Sequence, residues 1–323
     1  MTDTTLLIIL IVVGVLVLLL LGGAIASVII TMPIAEKLYQ KQWLRHGEDS
    51  FKRGCSDTSF DYHLDMFNQG MKFREANLKK ITEHEIKSVD GLKLAAEYYD
   101  FGFDKTIIVL PGRTETCYYG AFYAEAFIKG GYNVLCPDPR AHGLSEGTKI
   151  TLGKMEASDA IEWAKYLHNK LGNKHVGLYG LCGGATASCI ALTTPDVPSY
   201  IDLFIADGMF YSFFKVYKRH IVDEKHPVYP VIWEIMSKIK KGNGVDPYKA
   251  APHKLIKKIN VSLLILTGEK DIFAVSKEAF KMFESCPSKD KSIALIKGAR
   301  HSHLRYDNKV DYDKAVIDFL SAH

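Results

Sequence analysis

A mostly parallel β-sheet covered by helices on both faces, set behind one membrane-crossing helix, is the architecture this sequence predicts. Three observations carry that expectation. Short, continuously apolar runs of strand length alternate with helix-length segments from residue 85 to the C-terminus. Strands buried on both faces of a parallel sheet read in that way. At His175–Thr186 one such run ends in a cluster of glycines, Gly180, Gly183 and Gly184, around Cys182, and an apolar helical stretch follows at once. At the other end of the chain, Leu6 to Met32 is apolar almost throughout, and no charge falls between Asp3 and Glu36.

Residues 1–35 are therefore read as a transmembrane anchor. At about 1.5 Å per residue the apolar block is long enough to cross a bilayer, and a buried core helix of such length and uniformity would be unusual. A cleaved signal peptide is the competing reading, with Ala24-Ile-Ala26 as its cleavage site. Such peptides carry a basic n-region, and here Asp3 stands in its place. Lys37, Lys41, Arg45, Lys52 and Arg53 all follow the block. By the positive-inside rule they place the bulk of a single-pass cell-membrane protein in the cytoplasm. Residues 36–84, charged with scattered aromatics, are expected to form one or two amphipathic helices linking membrane to domain.

The domain itself is taken as 85–323. Ser88–Gly91 is a turn between two strand-like runs, the second ending at Tyr99. Thr106–Leu110 and Tyr132–Cys136 are buried strands with a helix at about 118–129 between them. Met155–Leu171 reads as a helix because Ala157, Ala160, Ile161, Ala164, Leu167 and Leu171 fall on one stripe. The glycine-flanked strand comes next, then Tyr200–Ala206. Residues 209–258 break the alternation: they are aromatic, basic and too long for a simple crossover, so part of them is expected to cap the site. Ser262–Thr267 and Ser292–Ile296 restore the strand pattern, and Tyr312–Ala322 closes the chain as a helix.

Composition narrows the function classes. A formal net charge of +4 over 323 residues, with no basic run interleaved with aromatics, gives no support to nucleic-acid binding. Six cysteines (Cys55, Cys117, Cys136, Cys182, Cys189, Cys286) show no C-x-x-C spacing, which argues against a zinc site or a redox pair. Cysteines in predicted strand and helix interiors fit a reducing compartment.

The reactive groups gather at strand ends. A strand, a tight turn and a helix with a nucleophile at the apex make the G-x-S-x-G elbow, here with Cys182 in place of serine. The apex needs strained backbone angles, and side chains two positions to either side would collide, hence Gly180 and Gly184. The helix that follows points free N–H groups and the positive end of its dipole at the apex, which suits an anionic nucleophile. A structural cysteine in a strand–helix turn is the plainer reading of the same residues. Asp271 and His301 each sit just past the end of another predicted strand. That edge is where open α/β sheets build their sites.

With these residues in view, the chain from about Glu85 onward resembles the α/β-hydrolases. Ser88-Val-Asp-Gly-Leu-Lys-Leu94 is similar to the family's opening hairpin, and Leu110-Pro-Gly-Arg113 stands at its oxyanion loop. Pro111–Glu115 is similar to the lysophospholipase-like, serine-aminopeptidase-like members. Asp138-Pro-Arg-Ala-His-Gly-Leu-Ser145 resembles the Asp-x-Arg-Gly-His-Gly-x-Ser loop, while Gly268–Asp271 and Gly298–His301 resemble the acid and histidine loops. Cysteine where most members carry serine is similar to the dienelactone-hydrolase branch. The resemblance implies an α/β-hydrolase fold and a triad in which Cys182 attacks a carbonyl, His301 shuttles the proton and Asp271 orients the imidazole. It implies backbone N–H groups of Arg113 and Gly183 as oxyanion donors. Asp207 is the reserve acid, His303 the neighbour that is not the motif histidine, and Arg140 and His142 the residues that order their loop. No metal or organic cofactor is implied.

The expected function is a membrane-anchored hydrolase that cleaves a carboxylic ester, thioester or related acyl bond through an acyl-enzyme. Its expected partner is a small-molecule or lipid-derived acyl substrate whose apolar group the aromatic cap would receive. Acyl transfer to another acceptor, and a catalytically weak or inactive binding or scaffold protein that kept the fold, are the alternatives.

Overall fold

A computed structural model describes residues 3–47, 49–195 and 197–323. It opens on α1 (Asp3–Trp43), a single helix of 41 residues. Its side chains are exposed as far as Ile30, and burial begins at Thr31. α1 is long and apolar enough to cross a membrane. Then come α2 (Asp61–Ala76), β1 (Ile81–Lys87), β2 (Lys93–Tyr99), β3 (Lys105–Leu110), α3 (Cys117–Lys129) and β4 (Asn133–Pro137). α4 (Lys154–Leu171), β5 (His175–Leu181), α5 (Gly183–Leu192) and β6 (Ile201–Asp207) follow. The chain continues through α6 (Phe213–Asp223), α7 (Val231–Asn243), the short α8 (Pro252–Leu255) and β7 (Ser262–Gly268). It ends with α9 (Ser276–Ser285), β8 (Lys291–Ile296), the short α10 (Leu304–Asp307) and α11 (Lys309–Ser321).

The strands form one eight-stranded sheet in the order β1-β2-β4-β3-β5-β6-β7-β8. β1, β2 and β4 pair antiparallel, and every pairing from β4 through β3 to β8 is parallel. On one face Trp163 and Leu167 of α4 and Cys189 of α5 pack against Leu178, Phe204 and Ile265. On the other, Phe127 of α3 and Val316 and Leu320 of α11 pack against Tyr179, Leu203 and Leu264. The β5 run Val176–Leu181 is buried throughout because it lies mid-sheet with helices on both sides.

Two boundaries differ from the sequence reading. The sheet starts at Ile81 rather than at 85, and the expected helical segment 36–84 holds the end of α1 and α2, both of which pack on the body. α1 runs on past residue 35 with Ala35, Leu38, Tyr39 and Trp43 buried. α2 lies on α3, where a Cβ on Gly70 would come 2.9 Å from the Phe122 nitrogen. The buried stripe of α2 is thin, Met66 and Gly70, so its composition reads as a solvated helix.

The segment 209–258 holds α6 and α7, which close over the C-terminal edge of the sheet together with the end of α1. Trp43, Phe213, Tyr217, Ile232, Ile235 and Ile239 form a separate apolar cluster there. α1 and α7 run parallel. Thr31 Oγ1 donates to Glu234 Oε1 (3.0 Å), Lys238 Nζ to Glu36 Oε2 (2.5 Å), and Tyr39 Oη to Asn243 Oδ1 (2.6 Å). Gly242 permits that approach, since a Cβ there would lie 1.9 Å from the Tyr39 hydroxyl.

Candidate active site

β5 delivers Cys182 to the apex of the turn at φ 49° and ψ −101°, a backbone conformation L-residues rarely adopt. The turn is too tight for side chains at its flanks. A Cβ on Gly180 would lie 2.4 Å from the Ala185 nitrogen, and one on Gly184 would lie 2.0 Å from the Leu110 carbonyl oxygen. Cys182 donates its own backbone N–H to the Asp207 carbonyl (2.9 Å), and α5 starts at Gly183. The helix thus begins at the cysteine, as the glycine pattern predicts.

The loop after β7 holds Asp271 on both sides of its carboxylate. Oδ1 accepts the backbone N–H groups of Phe273 (2.8 Å) and Ala274 (2.7 Å), which leaves Oδ2 facing His301 Nδ1 at 2.6 Å. His301 follows β8, and its side chain is 9% exposed. Burial pushes its imidazole down, but the Asp271 carboxylate, then Cys182, overcome that and hold it well above the ordinary histidine value. The Cys182 side chain is thus near enough to the same ring to favour its charged form. Asp271 and His301, predicted from two separate strand ends, therefore pair, and Cys182 acts on the same imidazole.

Asp207 does not take the place of Asp271. Its Oδ2 accepts from the hydroxyls of Tyr179 and Tyr312, each at 2.8 Å. Burial pushes this carboxyl up to about 6 against those two hydrogen bonds. His303 also lies apart from the acid: its Nδ1 is 2.7 Å from the His301 carbonyl, and its Nε2 is 3.1 Å from His63 Nδ1. Arg140 is bound to both oxygens of Asp159 at 2.7 Å and to Asp90 at about 3 Å, which fixes its loop. His142 bonds the Arg140 carbonyl through Nδ1 (2.9 Å) and stacks on Phe51, but it also lines the cavity. Burial pushes its imidazole down to about 4.

The backbones of Arg113 and Gly183 face each other beside the cysteine. The nearest atom a Cβ on Gly183 would meet is the Arg113 nitrogen, at 4.0 Å. Two residues that sequence reasoning gave no role secure the Arg113 loop. Glu115, buried, accepts the Gly112 N–H at 2.7 Å, and burial pushes its carboxyl up to about 7. Gln42 Oε1 accepts from Arg113 Nη1 (2.6 Å) and from the Tyr217 hydroxyl (2.8 Å). The guanidinium lies over Trp43, 5.0 Å from its ring centre. The motif Pro111–Glu115 contained a signal for Glu115; for Gln42 and Trp43, in a charged segment, there was none.

A cavity of about 100 Å³ opens over the cysteine. Leu110, Ile150, Phe213, Val216 and Tyr217 give it an apolar wall, with Trp43 closing one side. Such a space suits an acyl or aryl group placed against a nucleophile. Among the described residues no group of three or more His, Cys, Asp or Glu side chains is gathered to hold a metal.

Comparison with known proteins gives the same architecture. Residues 105–214 match the family model described as the alpha/beta hydrolase fold, a segment that includes the Cys182 elbow and stops before Asp271 and His301. An uncharacterised protein of Bacillus subtilis, YqkD, is 26% identical over 218 residues, covering 67% of this chain and 70% of its own. Among solved structures, the Pyrococcus furiosus esterase Pf2001 aligns with a TM-score of 0.63 and 24% identity over 77% of this chain and 95% of its own. The alpha/beta hydrolase GrgF from Penicillium sp. sh18 aligns with a TM-score of 0.59 and 17% identity over 75% of this chain and 98% of its own.

Proposed function

We propose that this chain, whose residues 105–214 match the alpha/beta hydrolase fold model, is a membrane-anchored hydrolase of carboxylic esters, thioesters or related acyl bonds that works through a Cys182–His301–Asp271 triad. The observation that carries the proposal is the His301 ring, 2.6 Å from Asp271, with Cys182 among the groups that raise its pKa. Esterase and hydrolase relatives support the general activity.

In this mechanism Cys182 has already passed its proton to His301 Nε2 when the sulfur attacks the acyl carbon. Asp271, held by two backbone N–H groups, keeps Nδ1 protonated and stabilises the imidazolium. The N–H groups of Arg113 and Gly183 take the oxyanion. Collapse of the tetrahedral intermediate expels the alcohol or thiol, which leaves with the proton from His301. Water then gives a proton to His301 and attacks the acyl-cysteine; collapse breaks the C–S bond, releases the acid and returns the proton to the Cys182–His301 pair. The substrate's apolar group occupies the cavity between Phe213, Val216, Tyr217 and Trp43.

In this reading the apolar part of α1 is the anchor, and the basic residues after that apolar block, Lys37, Lys41 and Arg45, favour a cytoplasmic body. The test of the chemistry is hydrolysis of p-nitrophenyl acyl esters by the full chain in detergent or nanodiscs. Wild type hydrolyses them and Cys182→Ala does not, with both folded by circular dichroism. Undiminished hydrolysis by Cys182→Ala would make the elbow cysteine structural. External protease on intact cells tests the topology and should leave a C-terminal tag intact.

A further inference from the structure

The parallel packing of α1 and α7 places the exposed aromatic pair Tyr229 and Trp233 where α1 leaves the body. Thr31 is where burial of α1 begins, and its partner is Glu234, the residue next to Trp233. Farther along both helices the partners move toward the sheet, Glu36 with Lys238 and Tyr39 with Asn243. The N-terminal end of α7 is thus the end turned toward the exposed, apolar half of α1. There Trp233 is 56% exposed and Tyr229 46% exposed, with ring centroids 4.7 Å apart. The packing around them does not use them: Val231 and Ile232 fill the core beneath, and the two rings face outward. The Lys218 ammonium lies 5.5 Å from the Tyr229 ring centre, and Val222, one helical turn on along α6, is 57% exposed.

We propose that Tyr229 and Trp233 seat the body on the headgroup region of the bilayer that α1 spans. Indole and phenol rings, each with an apolar body and a polar edge, concentrate at that depth, and a lysine beside them extends its ammonium toward headgroups. The span supplies the position: α1 is apolar through Met32 and carries its next charge at Glu36, so the hydrocarbon boundary falls at the level of Thr31 and Trp233. The seat lies on the cap, whose α6 lines the Cys182 cavity through Phe213, Val216 and Tyr217. It rests on reading α1 as a membrane span.

The sequence contains three tryptophans, and Trp43 and Trp163 are each 1% exposed, so Trp233 is the one open to a lipid-borne quencher. The experiment reconstitutes the full chain in liposomes and reads tryptophan emission with lipids spin-labelled near the headgroup or deep in the acyl chain. Flotation of the chain with the liposomes reports the span. Quenching reports the seat: the shallow label should remove at least half of the emission that Trp233→Phe abolishes, and the deep label distinctly less. A chain that floats while its Trp233 emission is quenched by aqueous acrylamide and not by shallow label overturns the seat and leaves the span standing. A chain that fails to float overturns both.

Discussion

Below the cavity, Cys182, His301 and Asp271 stand at the tips of β5, β8 and β7 in one sheet, each fixed by backbone hydrogen bonds or a strained turn. Above it, Gln42 and Trp43 from α1 meet Tyr217 from α6, 175 residues apart in the case of the Gln42–Tyr217 bond. The lower side holds polar groups at set distances and contributes little apolar burial. The upper side is an aromatic cluster whose members are mostly below 10% exposed. Damage to the two should therefore separate. Changes below should remove chemistry and spare the fold, and changes above should cost stability first and chemistry through shape.

The sharpest break between the two sides is at the nucleophile and its acid. Cys182→Ala should lower kcat/KM by about 10⁴-fold or more with the melting temperature nearly unchanged. Asp271→Asn should cost about 10⁴-fold, because an amide cannot stabilise the imidazolium. Asp207→Asn should instead leave kcat near wild type and reduce stability by about 1–2 kcal/mol through its two tyrosine partners. Equal kinetic losses at Asp207 and Asp271 would dissolve the distinction. On the upper side, Trp43→Ala should cost about 3–5 kcal/mol in denaturant unfolding and raise KM more than it lowers kcat.

Glu115 sharpens the comparison through pH. Its carboxyl is pushed from the ordinary 4.5 up to about 7, so the folded chain keeps a proton that the unfolded chain releases. Stability from that proton is present below pH 4.5 and is lost as pH rises through 7. Glu115→Gln still accepts the Gly112 N–H but cannot ionise. Between pH 4 and pH 8 the variant should therefore gain on wild type by about 3 kcal/mol. A stability difference that stays constant across that range would remove the argument. The smallest effect belongs to Gln42→Ala, which frees Arg113 and should lower kcat about tenfold, near 1.4 kcal/mol, with KM less changed.

The lower side was legible in the sequence because its constraints are local. Gly180 and Gly184 must be glycine for contacts within five residues or with the adjoining Leu110 strand, and Asp271 and His301 follow strands that announce themselves as apolar runs. Asp271 and Asp207 both stand at strand tips, and what separates them, the hydroxyls of Tyr179 and Tyr312, comes from elements far apart in the chain. The upper side was not legible. Gln42 and Trp43 lie among charges that read as a linker, and only their tertiary partners give them a place. Glu115 stands in a motif the sequence showed, but only its burial makes its protonation an issue.

One continuous helix, Asp3–Trp43, joins the apolar span to the cavity wall, without a loop between them. In the proposed anchored state it would couple the two as a drive shaft does, with Pro33 inside it. Residues 31–43 at 1.5 Å each set the cavity roughly 20 Å beyond the point where burial starts. A shaft transmits angle as well as height: one residue inserted between Ile30 and Thr31 would turn the apolar half by about 100° against the body. In a bilayer, an enzyme on a flexible tether sweeps a volume. If the proposed anchor and activity hold, a body on such a shaft would present its mouth at a single height and tilt, and a substrate would have to arrive in the matching posture.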